Sequence, residues 1–62
     1  MKLYRFCCMD SGGRISQSFY LSCAGDLEAV AEAESVADAN GVEVWDGGRL
    51  VARVGTGDRR LD

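Results

Sequence analysis

Three cysteines, Cys7, Cys8 and Cys23, are the residues with the widest chemical range in this 62-residue chain. A thiolate acts as nucleophile or metal ligand where a neighbouring base, a helix start or a metal lowers its pKa. Structural zinc takes four ligands, mostly Cys and His. The chain has no histidine and no Cys-x-x-Cys pair, and Cys7 and Cys8 are adjacent, so on a strand they point to opposite faces. The three are expected to be structural thiols, without metal or cofactor. The lack of histidine also removes the commonest general base. No serine sits in a Gly-x-Ser-x-Gly elbow. Gly12-Gly13-Arg14 and Gly47-Gly48-Arg49 do not match a phosphate-binding loop. No catalytic residues are assigned, and no enzymatic activity is expected.

Charge and aromatic residues point instead to binding. The net charge of −3 is unevenly spread: residues 24–46 carry seven acids and no base, while residues 1–23 and 47–62 are each net +2. Glu28 and Glu32 are spaced i, i+4, as are Glu34 and Asp38. On a helix, like charges at that spacing destabilise by about 0.2–0.5 kcal/mol per pair, and no basic residue of the segment offsets them. This acidic face is a solvated surface or a recognition face for a basic protein. The opposite charge supports a rival reading. Arg14, Arg49 and Arg53 with Tyr20 and Trp45 are the residue types of a sheet platform for single-stranded nucleic acid, in which bases stack on aromatics between basic side chains. The acidic overall charge weighs against it.

These groups have to be positioned by short elements. Lys2–Met9 alternates like a strand, with Tyr4, Phe6 and Cys8 on one face and Leu3, Arg5, Cys7 and Met9 on the other. Asp10-Ser11-Gly12-Gly13 is a turn signal. Arg14–Cys23 is a second strand, and an even-length loop would place Ile15, Phe19 and Leu21 on the face of Tyr4, Phe6 and Cys8. Asp26 is expected to cap a helix over Leu27–Ala39. At about 100° per residue its Ala29, Val30, Ala33, Val36 and Ala37 form one stripe, and Asn40-Gly41 would end it, with Gly41 in the left-handed position. Val42–Asp46 and Arg49–Val54 are two further strands joined by Gly47-Gly48. The predicted fold is α+β: a ββαββ chain whose two hairpins form an antiparallel four-stranded sheet with one helix packed on one face. Residues 1–54 form the single domain and residues 55–62 a flexible C-terminal tail.

With a two-residue turn in the second hairpin, one face would hold Trp45, Leu50, Ala52 and Val54, and the other Val42, Val44 and Val51 with Asp46, Arg49 and Arg53. One helix covers only one of these faces. Trp45, Leu50 and Val54 are therefore expected to meet a second copy or another protein, tryptophan being enriched at interface hot spots. A domain of this length buries only about 60% of its unfolded surface, and a two-fold homodimer would bury more. Odd cysteine count, no secretory signal and no membrane-length apolar run imply a cytoplasmic protein with free thiols and no membrane partner.

Tyr4-Arg5-Phe6, the Asp10…Gly13 turn, the alanine-rich acidic helix and Val42-Glu43-Val44-Trp45-Asp46-Gly47…Arg49-Leu50-Val51-Ala52 together resemble short uncharacterised ββαββ proteins of alphaproteobacteria. The likeness covers most of residues 3–54. It implies a bacterial, cytosolic setting and brings no catalytic motif, cofactor or function with it.

Overall fold

A computed structural model describes residues 1–55; the expected tail, apart from Gly55, lies outside the described residues. The elements are β1 (Lys2–Met9), β2 (Ile15–Cys23), α1 (Asp26–Val36), β3 (Val42–Asp46) and β4 (Arg49–Val54). They form one antiparallel sheet in the order β2-β1-β3-β4, with the single helix against it. The chain is thus an α+β ββαββ domain. β1 and β3 are the central strands, so the N-terminal strand joins the two hairpins. The Met9 N–H donates to the Gly41 carbonyl at 3.0 Å, extending that junction beyond Cys8 and Val42.

The core lies between helix and sheet. Tyr4, Phe6, Cys23, Val42 and Val44 are buried beneath Ala29 and Ala33, with Cys8, Phe19, Ala37, Val51 and Val54 packed around them. Alanines on the inner face of α1 let it settle close over bulky sheet side chains. The expected stripe is narrower than the spacing suggests, since Val36 is 47% exposed. The rings of Phe6 and Phe19 stack with centroids 5.3 Å apart.

The helix ends differ from expectation. Gly25 is the N-cap and makes no side-chain capping bond, while Asp26 is the first helical residue. The Glu28 carboxylate accepts from the Ala24 N–H, so a side chain of the first turn ties down the chain entering the helix. At the other end Ala37 is already extended. The Asp38 carboxylate accepts from the N–H groups of Asn40 (2.8 Å) and Gly41 (3.3 Å). Such a local side-chain turn offers the backbone an alternative to another helical turn, and the helix stops three residues short of the expected Ala39.

Two one-residue bulges change which side chains share a face. In the first hairpin β1 pairs regularly with β2 from Lys2↔Cys23 to Cys8↔Gln17, and then Met9 pairs with Ile15. Ser16 is the extra residue, and its hydroxyl donates to the Cys8 carbonyl at 3.1 Å. Ile15 therefore stands opposite Met9 instead of joining Tyr4 and Phe6, and it is 49% exposed. In the second hairpin Trp45 pairs with Leu50 as expected, but Val44 pairs with Ala52, leaving Val51 as the extra residue. Beyond that bulge Glu43 faces Arg53 and Val42 faces Val54. Val54 thus packs on the helix-covered core and does not share a face with Trp45 and Leu50, while Arg53 moves to their face.

Candidate functional site

The helix leaves the other face of the sheet open. Strand alternation puts Leu3, Arg5, Cys7 and Met9 of β1 on it, and the pairing adds Ser22, Tyr20, Ser18 and Ile15 from β2. β3 contributes Glu43 and Trp45; β4 contributes Arg53 and Leu50. Register fixes two rows running across all four strands. One reads Tyr20, Arg5, Trp45, Leu50; the next reads Ser18, Cys7, Glu43, Arg53. Directly opposed side chains on one face of an antiparallel sheet are close neighbours, with Cβ atoms about 4.5–5.5 Å apart.

The first row is apolar and aromatic around a single cation. Tyr20 is 59% exposed and Leu50 38%. Leu3, one step along β1 from this row, is 59% exposed. Trp45 is half-buried, and its indole Nε1 donates to Glu43 Oε1 at 3.2 Å. With its polar atom engaged within the sheet, the ring body is left to make apolar contact. In the second row the other oxygen of Glu43 accepts from Arg53 Nε at 3.0 Å. Glu43 therefore anchors both the tryptophan and the arginine beside it. Cys7, short and flanked by Ser18 and Glu43, is buried in the middle of this open face. Burial pushes its thiol pKa up, with Arg5 opposing and Glu43 adding.

A second polar group lies on the helix side. The Tyr4 hydroxyl donates to Asp26 Oδ1 at 2.7 Å. Arg49 Nη2 donates to both oxygens of Asp26 (3.2 and 3.3 Å) and to Asp46 Oδ2 (3.0 Å). Lys2 Nζ lies 2.6 Å from Asp46 Oδ2 and 5.7 Å from the centre of the Tyr4 ring. The cluster joins the start of α1 to the turn of the second hairpin and to the start of β1. The hydrogen bond to Asp26, with burial and the same carboxylate's charge, pushes the Tyr4 pKa up to about 12. The Tyr4 hydroxyl and the Arg49 guanidinium hold the Asp26 carboxyl below the usual range. Lys2 and Arg49 do the same for Asp46. Arg49 is in turn pushed up by the two carboxylates.

This geometry divides the residues expected to act together. Of the proposed nucleic-acid contacts, Tyr20 and Arg53 lie on the open face, Arg49 is bound into the cluster on the opposite side, and Arg14 is in the hairpin loop beside Asp10. Asp10 Oδ1 accepts from the Arg14 N–H at 3.0 Å. Of the interface residues, Trp45 and Leu50 are adjacent on the open face, whereas Val54 is on the covered one. The acids also separate. Glu28 is turned to Ala24, Asp38 lies beyond the helix in its own turn, and Glu32 and Glu34 remain exposed on the helix. At about 100° per residue Glu34 falls on the far flank from Glu28 and Glu32. There is no single four-carboxylate face. Cys23 is buried beneath the helix, and its thiol is pushed up by burial, then by Glu28 and Glu32.

Arg5 is the residue that sequence reading placed on a face but not in a site. Its position between Tyr20 and Trp45 follows from β1 lying between β2 and β3. Among the described residues Arg5 and Arg14 enter no ion pair. The described residues enclose no pocket, gather no group of three potential metal ligands and include no helix long and apolar enough to cross a membrane. Compared with known proteins, the chain matches no protein-family model, no curated protein and no solved structure.

Proposed function

We propose that this protein is a non-enzymatic protein–protein interaction module, a small dimeric regulator or accessory subunit, that receives a partner protein on the helix-free face of its sheet. The observation that carries this reading is the row Tyr20, Arg5, Trp45, Leu50, flanked by Leu3. It sets an indole with a satisfied N–H among exposed apolar side chains and one arginine. Interface cores favour these residue types: aromatics and Arg are enriched there, Lys and Asp depleted. Trp45 and Leu50 are the central contacts. A basic protein other than the partner on the sheet would be met on the helix side by the exposed Glu32 or by Glu34, which lie on opposite flanks of α1. The three unpaired thiols suit a reducing cytoplasm.

The same row supports a second reading. Tyr20 and Trp45 on either side of Arg5, with Arg53 in the next row, have the composition of a stacking platform for single-stranded nucleic acid. Glu43 in the middle of the face and the net charge of −3 count against phosphate binding. The deciding experiment is affinity capture from a bacterial lysate, with and without nuclease, beside a Trp45→Glu variant. The protein reading predicts a defined protein that survives nuclease and is lost with Trp45→Glu. Capture that disappears with nuclease moves the assignment to nucleic acid. Recovery of this chain alone rejects the regulator reading.

A further inference from the structure

The two edges of the sheet are built differently. β4 has six residues, a bulge at Val51 in its middle, and Arg49 and Arg53 on either side of that bulge. Bulges and charges of this kind are what sheets use to discourage pairing with another chain. β2 has nine residues, and Ile15–Cys23 contains no charged residue and no proline. Its one bulge, at Ser16, lies at the hairpin end and leaves seven consecutive regular pairs from Gln17 to Cys23. The strand presents apolar side chains to both sides of the sheet: Phe19 and Leu21 on the helix side, Tyr20 on the open side. Phe19 is half-buried, Leu21 36% exposed and Tyr20 59% exposed. An unprotected edge of this length is a template for strand addition.

We propose that two copies of the chain join through their β2 edges, antiparallel, into one continuous sheet with four strands from each copy. The occupant is a second copy because the edge calls for an uncharged strand of similar length with apolar side chains on both faces. Among the described residues only β2 has that character: β1 and β3 are interior, and β4 is interrupted by Arg49, Arg53 and a bulge. Antiparallel pairing of β2 with itself sets no like charges opposite each other, and its two-fold symmetry closes the assembly at two copies. Around Phe19, the midpoint of the strand, the Phe6–Phe19 stack of one copy would meet that of the other. The proposal rests on the dimeric part of the function assigned above. It places self-contact on the edge and leaves Trp45, two strands away, free for a different partner.

The test is sedimentation equilibrium over a concentration series. It compares the native chain with a Ser18→Lys/Tyr20→Lys double variant and with Trp45→Glu. Ser18 and Tyr20 are exposed, and the double variant gathers like charges where the two edges would meet. The expected result is a mass of twice the chain's 6.7 kDa for the native chain and Trp45→Glu, and half that for the double variant. A native chain that stays at the single mass throughout overturns the proposal. So does loss of the dimer in Trp45→Glu with retention in the double variant, which would put self-contact on the open face. Hydrogen exchange on the native chain keeps the test decisive if the double variant does not fold. An unpaired edge strand leaves about half of its amides facing out. Dimerisation through β2 predicts that protection of residues 17–23 rises with concentration while that of β4 does not. Equal, concentration-independent exchange on both edges overturns it. Captured partners on Trp45 bear on the functional reading and not on this one, so the two can fail separately.

Discussion

Phe6 and Phe19 face each other across β1 and β2 with stacked rings, yet their removal should have unequal consequences. Phe6 is fully buried on a central strand, and Phe19 is half-buried on an edge strand. Truncating a buried phenylalanine to alanine costs about 3–5 kcal/mol, combining lost transfer energy with the cavity left behind. At roughly 0.05–0.15 kcal/mol per residue, a domain of this length has a total stability of only about 3–9 kcal/mol. Phe6→Ala is therefore expected to remove at least about a third of the stability and, at the low end of that range, all of it. Phe19→Ala loses the stacking contact, about 0.5–1.5 kcal/mol, with about half of its burial, about 0.8–1.5 kcal/mol, for a total of about 1.3–3 kcal/mol. Urea unfolding monitored by far-ultraviolet circular dichroism measures both, at a protein concentration low enough that the native chain and both variants are single copies, so that self-association contributes to none of them. A Phe19→Ala loss equal to or larger than that of Phe6→Ala would refute the placement of the core between β1, β3 and the helix.

Other predictions test the remaining parts of the structure. In a Tyr20→Phe background Tyr4 is the only tyrosine, and its tyrosinate absorbance should rise with a midpoint near 12; a midpoint near 10 would remove the bond to Asp26. Because the folded pKa of Tyr4 is raised, its contribution is complete below about pH 10 and is lost as pH climbs towards 12. Stability should accordingly fall over that range and fall less in Tyr4→Phe. Asp26 and Asp46 have depressed folded pKa values, so their contribution is present above the unfolded carboxylate range and lost as pH drops below about 4; Asp26→Asn should flatten the acid limb of the stability curve. A thiol reagent should modify Cys8 in the native protein and reach the buried Cys7 and Cys23 only on unfolding; three equally fast thiols would contradict their burial. At Gly55 an added Cβ would lie 2.6 Å from Ala37 Cβ and 2.7 Å from the Asp38 carbonyl oxygen, at φ +73°. Gly55→Ala should cost more than about 1 kcal/mol, whereas Gly48→Ala, which meets nothing within 4 Å, should stay within about 0.5 kcal/mol.

The elements were legible because their signals are local. Alternation in Lys2–Met9, the Asp and Gly residues of both hairpins, and the alanine spacing of the helix each act within a few residues, and the fold class follows from them. Both bulges escaped because an extra residue in a ladder leaves no mark in composition: Ser16 and Val51 are ordinary strand residues. The consequence reaches beyond the bulges themselves, since one slip carries Val54 to the covered face and Arg53 to the open one. Asp26 looked like a cap because Asp favours that position, but tertiary partners 22 and 23 residues away, Tyr4 and Arg49, claim its carboxylate. Asp38 looked helical by spacing, and its own turn ended the helix before it. Trp45 beside Leu50 could be read from the tight Gly47-Gly48 turn. The full row with Arg5 and Tyr20 could not, because it depends on β1 being an interior strand, a fact about strand order that no local pattern encodes.

The central claim, that the helix-free face is the contact surface, is tested most directly by capturing a partner with variants that separate the two sides of the molecule. Trp45→Glu and Leu50→Glu alter the open face; Glu32→Lys with Glu34→Lys reverses the helix charge without touching it. The account predicts that nuclease-resistant capture of a defined protein is lost with either open-face variant, each still folded by circular dichroism, and survives the helix variant. Capture that survives both open-face variants and is lost with the helix variant would contradict it.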